Sequence, residues 1–334
     1  MISLKSKKLK ALAAGLMLTL AMGIVGCGGD AKDGKKAEKV NVGIVQLVEH
    51  EALDAANKGF VEGLASKGYK EGQNITFDKQ NAQADQSNLQ NIAHRFVNNK
   101  VDLICAIATP AAQTVANVTS DIPIVATAVT DYKTAKLVKE NDKPGTNVTG
   151  TTDMNPVAEQ LDLLTKLVPN VKTIGTVYCS SEVNSQLQVE ILKKAAAAKG
   201  ITVKEATVST VNDIQQAAHS LVGSVQAVYI PTDNVLASAI PTLISVTDEA
   251  KLPVICGEGG MVRAGGLATL GVDYYKLGFQ TGVMAADILS GKAKPAEMAI
   301  QAQKDFKPVI NMKSAAKIGL TVPEALLKDA EVIK

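Results

Sequence analysis

Short apolar runs rich in β-branched residues alternate along this chain with stretches in which apolar residues recur every three or four positions. That alternation predicts strand–helix–strand units, and such units build a parallel sheet flanked by helices. The first predicted strands are Val40 to Leu47, Ile75 to Asn81, Val101 to Ala108 and Ile122 to Val129. The helices predicted between them are Leu53 to Lys67, Ser87 to Asn99 and Pro110 to Val118.

The same order of elements returns roughly 130 residues further along the chain, as an internal duplication would produce. The segment Val42-Gly43-Ile44-Val45 corresponds to Ile174-Gly175-Thr176-Val177, and Ile122-Pro123-Ile124-Val125 corresponds to Leu252-Pro253-Val254-Ile255. Two similar lobes are the interpretation that this repeat favours. Generic doubly wound patterning without a duplication stays open as the alternative.

Three further elements follow the second set, namely a strand over Leu267 to Asp273, a helix over Lys276 to Leu289 and a strand over Phe306 to Met312. Their order predicts that the chain crosses between the lobes near Thr151 to Asp153, near Asp273 and near Gln303 to Phe306. The predicted fold class is α/β, with two doubly wound parallel-sheet lobes, a hinge and an interlobe cleft. The N-terminal lobe is predicted to comprise residues 40–152 plus 274–304, and the C-terminal lobe residues 153–273 plus 305–334.

The start of the chain has the pattern of an export signal. Four lysines precede an apolar run from Ala11 to Val25, which is short for a membrane span. Ile24-Val25-Gly26-Cys27 matches a lipobox, so we predict a lipoprotein signal peptide over residues 1–26 and lipidation of Cys27. The polar residues that follow cannot fill a core, and residues 27–39 are predicted to be a flexible tether. The alternatives are an ordinary signal peptide with a coincidental cysteine and a simple transmembrane anchor.

Charge and cysteine content exclude some classes of function. Without the four lysines of the predicted signal, the formal net charge falls from +2 to −2, which gives no reason to expect nucleic acid binding. The cysteines Cys105, Cys179 and Cys256 lie in or at the end of apolar runs and are predicted to be buried rather than disulfide-bonded. Metal-ligand spacings, a nucleophile elbow, a P-loop and a dinucleotide fingerprint are all missing. We therefore predict a protein without catalysis, cofactor or metal.

Candidate binding residues follow from the position of the strand ends. In open parallel sheets, ligands bind beyond the carboxyl ends of the strands, where helix N-termini present free N–H groups. Ser180, Ser181 and Asn184 can hold a carboxylate there or simply cap a helix, and Asp233 or Asp273 can receive an ammonium group or lie in a solvated loop. The predicted ligand-binding residues are Gln46, His50, Thr109, Thr130, Asp153, Ser180, Ser181, Asn184, Asp233, Glu258 and Asp273.

Several ordered segments together resemble a known family. They are Val42-Gly43-Ile44-Val45-Gln46, Ala108-Thr109-Pro110-Ala111-Ala112-Gln113, Tyr178-Cys179-Ser180-Ser181-Glu182, Pro231-Thr232-Asp233-Asn234 and Gly271-Val272-Asp273-Tyr274-Tyr275. From Val40 onward the chain resembles the ABC transporter substrate-binding lipoproteins of the tryptophan/tyrosine type. It departs from them at Cys179, where the family more often has asparagine.

The resemblance implies a type I periplasmic-binding-protein-like fold that captures a small amino acid in its interlobe cleft. The expected ligand is aromatic, of the tryptophan, tyrosine or phenylalanine kind, and the expected partner is an ABC permease in the membrane. We expect a monomer that is extracytoplasmic and lipid-anchored, on the periplasmic face or the cell surface. The open alternatives are a surface sensor that uses the same cleft, a binder of another solute such as a sugar, and an enzyme on a doubly wound sheet.

Overall fold

The structure is a computed structural model that describes residues 39–334. The predicted signal peptide, Cys27 and nearly all of the predicted tether lie outside the described residues. Within the described residues, none of the helices has the length and the apolar character that a membrane crossing needs.

Strands and helices alternate through most of the chain, as the hydrophobic pattern predicts. The strands are β1 (Val40–Gln46), β2 (Ile75–Asn81), β3 (Leu103–Ile107), β4 (Ile124–Val129), β5 (Val148–Thr152), β6 (Thr173–Cys179), β7 (Thr202–Val208), β8 (Ala227–Ile230), β9 (Val254–Cys256), β10 (Ala268–Gly271), β11 (Gln301–Ala302), β12 (Lys307–Asn311) and β13 (Glu331–Ile333). The helices are α1 (Glu51–Ser66), α2 (Gln86–Asn98), α3 (Thr109–Val118), α4 (Val157–Leu167), α5 (Val183–Ala198), α6 (Ile214–Leu221), α7 (Asn234–Ser238), α8 (Ile240–Glu249), α9 (Gly259–Arg263), α10 (Tyr274–Leu289) and α11 (Met312–Ile318).

The strands form two separate sheets, which confirms the predicted two-lobed α/β fold. The six-stranded sheet of the N-terminal lobe has the order β11-β5-β4-β3-β1-β2 and is parallel throughout. The seven-stranded sheet of the C-terminal lobe has the order β13-β12-β10-β9-β8-β6-β7, and only its β10–β12 pair is antiparallel. The chain passes between the sheets three times, between β5 and α4, between β10 and α10, and between β11 and β12.

Both faces of the C-terminal sheet are covered, because successive residues of β8 belong to different apolar clusters. Val228 and Ile230 pack in one cluster, and Ala227 and Tyr229 pack in the other. Strands β3 and β4 of the N-terminal lobe are likewise buried along their whole length. Continuous apolar runs of this kind are typical of central parallel strands. The three cysteines of the described chain are free and buried, as predicted.

Strand β5 is one of the elements that the hydrophobic pattern does not predict. Its sequence is rich in threonine, and the threonine hydroxyl groups form hydrogen bonds with other groups inside the lobe. Thr151 Oγ1 lies 3.1 Å from Thr127 Oγ1 and 2.8 Å from Thr281 Oγ1. At Gly150, φ is +148° and a Cβ would lie 1.9 Å from the Ala126 carbonyl oxygen, so only glycine fits.

Helices α1 and α10 of the N-terminal lobe pack with their backbones in direct contact. A Cβ on Gly278 would lie 1.9 Å from the carbonyl oxygen of Ala56, and one on Gly282 would lie 2.2 Å from that of Phe60. The facing residues Gly59 and Gly63 of α1 are equally crowded by the backbone of α10. The two helices therefore run parallel in close contact, and the N-terminus of each faces the other lobe.

Candidate functional site

A buried cavity lies between the two lobes, and residues from both of them line it. We call it the interlobe cavity, and its lining consists of His50, Leu53, Ala128, Thr130, Asp153, Asn184, Thr232, Asp233, Asn234, Ala237, Glu258, Met261 and Tyr274. Its volume is about 10 Å³, close to the space that a single water molecule needs. A larger ligand therefore enters only if the lobes or the lining side chains move apart.

Six of the predicted binding residues converge on this cavity: His50, Thr130, Asp153, Asn184, Asp233 and Glu258. They come from the carboxyl ends of different strands, or from the helix starts that follow. This is the arrangement that parallel sheets produce, because the carboxyl ends of their strands share one edge. The other five predicted residues do not line the cavity.

Two of these five lie in neighbouring grooves. Gln46 is buried, but its amide donates to Val48 O and Asp54 and accepts from Asn57, beside a separate surface groove. Asp273 caps α10 by accepting from the Lys276 N–H at 3.1 Å, and its carboxylate is about one-third exposed. Asp273 therefore acts as a helix cap and does not line the interlobe cavity.

The remaining three residues are also placed away from the cavity. Helix α5 begins at Val183, so Ser180 and Ser181 belong to the exposed turn before it rather than to its first turn. Ser180 Oγ donates to Val208 O at 3.4 Å, and Ser181 Oγ lies 3.2 Å from Cys179 Sγ. Thr109 is buried at the start of α3 and accepts from the Thr130 N–H at 3.4 Å. This geometry does not support a carboxylate site on the two serines.

The first acid of the cavity, Asp153, joins the hinge to the N-terminal lobe. One of its oxygens accepts from Thr130 Oγ1 at 3.0 Å, and the other accepts from the Tyr274 hydroxyl at 2.7 Å. Burial raises the pKa of Asp153 above its usual value, while these two hydrogen bonds oppose that change. Tyr274, at the first position of α10, is a lining residue that the sequence analysis did not select.

The second acid, Asp233, is the N-cap of α7. It accepts from Leu236 N at 2.9 Å, from Cys179 N at 2.6 Å and from Ser185 Oγ at 2.7 Å. Burial raises the pKa of Asp233 above its usual value. These three donors hold the Asp233 carboxylate in a fixed position at the wall of the cavity.

A third buried acid, Glu182, lies directly behind the lining. Burial and the neighbouring Asp233 carboxylate raise the pKa of Glu182 above its usual value, while hydrogen bonds from Asn184 and Asn234 oppose that change. Its oxygens accept from the side-chain amides of Asn184 and Asn234. Glu182 is not among the residues predicted from the sequence, although an acid directly before a helix that starts at a strand end is a signal for such a site.

The fourth acid, Glu258, is the N-cap of α9 and accepts from the backbone N–H groups of Gly260 and Met261. Burial raises the pKa of Glu258 to about 7. Behind it, Arg263 forms ion pairs with Glu51 of the N-terminal lobe and with Glu331 of its own lobe. These exposed pairs join the lobes at the rim rather than inside the cavity.

The cavity as a whole is negatively polarised. Among residues 39–334, no lysine or arginine belongs to its lining, and its one basic side chain, His50, has a pKa that burial lowers. Buried carboxylates without a cation favour a ligand that carries a positive group and hydrogen-bond donors. In the described part of the chain, no group of three or more His, Cys, Asp or Glu side chains is arranged to hold a metal ion.

Comparisons with known proteins agree on one family. The family described as ABC transporter substrate binding protein matches residues 41–334. A relative named "Tyrosine-binding protein" from Clostridioides difficile (strain R20291) is 45% identical over 298 residues, which are 87% of this chain and 86% of the relative.

Two solved structures are also similar to this chain. One, described as the ABC domain in complex with L-Trp from Streptococcus pneumonia, has 41% identity and a TM-score of 0.86, over 89% of this chain and 100% of that one. The other is the ligand-free, open structure of a substrate binding protein with adhesive properties from Clostridium difficile. It has 44% identity and a TM-score of 0.68, over 88% of this chain and 99% of that one. At similar identity, the whole chain superimposes better on the complex than on the open structure.

Proposed function

Because this chain belongs to the ABC transporter substrate-binding protein family, we propose that it captures an aromatic amino acid between its lobes and delivers it to an ABC permease. The observation that carries this proposal is the interlobe cavity, which is lined from both lobes, rich in buried acids and free of lysine and arginine. The tyrosine-binding relative and the L-Trp complex support the aromatic class. The alternatives of a sugar binder and a sensor have no comparable support.

The ammonium group of the ligand is assigned to the C-terminal side of the cavity. Of the two acids that the sequence suggested for it, Asp233 is buried in the lining and Asp273 lies outside. Asn184 from the same lobe adds an acceptor oxygen with no partner among the described residues. A buried carboxylate beside an amide oxygen is suited to the three N–H donors of an ammonium.

The aromatic side chain of the ligand is assigned to the apolar part of the lining. Leu53 contributes from α1, Ala237 from α7 and Met261 from α9. A methionine sulfur makes favourable contacts with aromatic rings, and its flexible side chain adapts to rings of different size. These side chains come from both lobes, so a ring between them would favour the closed state.

We infer that the lobes close on the ligand about the three crossing segments. Two of the three crossing segments are tied together, because Gln303 accepts from the Asp273 N–H at 3.0 Å and donates to the Asp273 carbonyl at 2.7 Å. A ligand that contacts both lobes shifts the open and closed populations by its difference in affinity for the two states.

The test of this function is a calorimetric titration of the purified protein with tyrosine, tryptophan, phenylalanine, leucine and glucose. We expect binding of aromatic amino acids and none of glucose, together with a smaller radius of gyration by small-angle scattering when the aromatic ligand is saturating. Binding of glucose alone, or an unchanged radius with a bound aromatic ligand, would contradict the proposal.

We also propose that the extracytoplasmic protein is held at the membrane by lipid on Cys27, on the strength of its lipobox. We expect Cys27→Ser to carry no lipid and to leave the membrane fraction or remain uncleaved. Mass spectrometry of the N-terminal peptide measures this, with Cys179→Ser as the control that keeps the lipid. Lipid on the Cys27→Ser protein would refute the anchor.

A further inference from the structure

Two buried polar atoms at the interlobe cavity have no hydrogen-bond partner among the described residues. They are His50 Nδ1 from the N-terminal lobe and Asn184 Oδ1 from the C-terminal lobe. A buried polar atom without a partner costs free energy, so such atoms at a binding cavity indicate where a ligand forms hydrogen bonds. Whether each atom donates or accepts determines which ligand fits.

Asn184 presents an acceptor to the cavity. Its Nδ2 lies 2.8 Å from a carboxylate oxygen of Glu182 and 3.0 Å from the carbonyl oxygen of Thr232. Because both partners accept, the amide nitrogen must face them. The oxygen is therefore directed away from them, and its partner must be a donor.

His50 also presents an acceptor, and its state is determined through Asn234. Asn234 Nδ2 lies 2.6 Å from the same oxygen of Glu182, so Asn234 Oδ1 faces His50 Nε2 at a longer 3.4 Å. The only proton of a neutral imidazole is then on Nε2, and Nδ1 keeps a free lone pair. Burial lowers the pKa of His50 and so favours the neutral imidazole, although the Asn234 hydrogen bond and the nearby Asp54 and Glu51 partly oppose this.

Glu182 determines both arrangements without lining the cavity. It is buried, and its remaining contacts are the backbone N–H groups of Asn234 at 3.1 Å and Val235 at 3.2 Å. Each group that touches this carboxylate is therefore a donor. A glutamine at this position would bring its own amide N–H₂ against those donors, and at least one neighbouring amide would have to rotate.

We propose that Glu182 is a positioning residue that directs two acceptors, Asn184 Oδ1 and His50 Nδ1, toward the ligand from opposite lobes. The inference rests on the proposed function and extends it to the chemistry of the ligand, which must offer a donor at each end. The ammonium group supplies the donor to Asn184, beside Asp233. A phenol hydroxyl or an indole N–H supplies the donor to His50, so tyrosine and tryptophan fit and phenylalanine lacks one hydrogen bond.

The positioning role is tested on the ligand-free protein by ¹⁵N-histidine NMR, which reports the tautomer of each of the three histidines. Variants His94→Gln and His219→Gln assign the signals. We expect His50 to carry its proton on Nε2 in the wild type and in the control Glu190→Gln, which makes the same change at an exposed site of α5. In Glu182→Gln we expect a mixture of both tautomers.

A second variant keeps the test decisive if Glu182→Gln does not fold. Asn234→Ala removes the link between Glu182 and His50, and we expect the same mixture of tautomers. An Nδ1–H tautomer in the wild type, or an unchanged Nε2–H tautomer in the folded variant, would overturn the positioning role.

Ligand choice is measured separately by calorimetry. We expect the wild type to bind tyrosine at least tenfold more tightly than phenylalanine, and Glu182→Gln to reduce that ratio below threefold. Equal affinity of the wild type for both ligands would overturn the assigned hydrogen bond to His50. If the wild type binds no aromatic amino acid but shows the expected tautomers, the proposed function fails and the positioning role stands.

Discussion

Asp233→Asn is expected to weaken the binding of tyrosine or tryptophan by about a hundredfold or more, a loss of about 3 kcal/mol. The carboxylate is buried in the lining of the interlobe cavity, where an ammonium group without its counter-charge costs several kcal/mol. Asparagine keeps the cap of α7 through its oxygen, but its amide N–H₂ then faces the Cys179 N–H and the Ser185 hydroxyl, so circular dichroism must show that the variant is folded. Calorimetry at neutral pH measures the effect.

The matched control is Asp273→Asn, because Asp273 is also the N-cap of a helix and lies outside the cavity. Its carboxylate is partly exposed, and a charge in such a place contributes about 1 kcal/mol or less. We expect its affinity for the ligand to stay within threefold of the wild type. Equal affinities for both variants and the wild type would show that Asp233 only caps its helix.

The ligand-free protein is expected to lose stability as the pH rises from 5 to 8. Burial raises the folded-state pKa of Glu258 to about 7, while the same group titrates near 4.5 in the unfolded chain. The folded state therefore binds more protons in this window, and its advantage is lost as the pH rises through the folded-state pKa. Glu258 alone accounts for about 3 kcal/mol.

Urea unfolding at pH 5, 6, 7 and 8 measures this change. We expect Glu258→Gln to flatten the profile, because a neutral side chain does not titrate, and the exposed Glu190→Gln to leave the profile as it is. A free energy of unfolding that is constant or increases across this range would contradict the assigned pKa shifts. Saturating ligand is expected to reduce the slope, since its ammonium group stabilises the ionised carboxylates.

The sequence predicts much of the fold because central parallel strands such as β3 and β4 are continuous apolar runs. Strands β1 to β4 lie within a few residues of their predicted bounds. Strand β5 is not predicted because its sequence, Val-Thr-Gly-Thr-Thr, has no apolar run, and its Thr151 hydroxyl is paired with the hydroxyl groups of Thr127 and Thr281. Such bonds depend on residues that are distant in the chain, among them Thr281.

The candidate site is predicted in part, because the position of a strand end is local information and the direction of a side chain is not. The rule of strand ends selected His50, Asp233 and Glu258, which meet at the cavity. It also selected Asp273, although Tyr274, one residue later, is the one that lines the cavity. Which of these two residues faces the cavity depends on how α10 is rotated against α1. Glycine contacts between the two helices, which are more than two hundred residues apart in the chain, fix that rotation.

The contact between α1 and α10 also has a consequence for how the protein is made. Helix α1 spans Glu51–Ser66, and the helix on which it packs spans Tyr274–Leu289, after five of the seven strands of the other lobe. The N-terminal lobe therefore cannot complete its core until nearly the whole chain has been synthesised or exported. Until α10 has been made, the apolar faces of the early segments remain exposed to solvent, and folding intermediates with exposed apolar surface are prone to aggregation. The lobe that begins first in the chain is therefore not the first that can finish folding. A truncation before α10 would leave the N-terminal lobe incomplete, even though strands β1 to β5 would all be present.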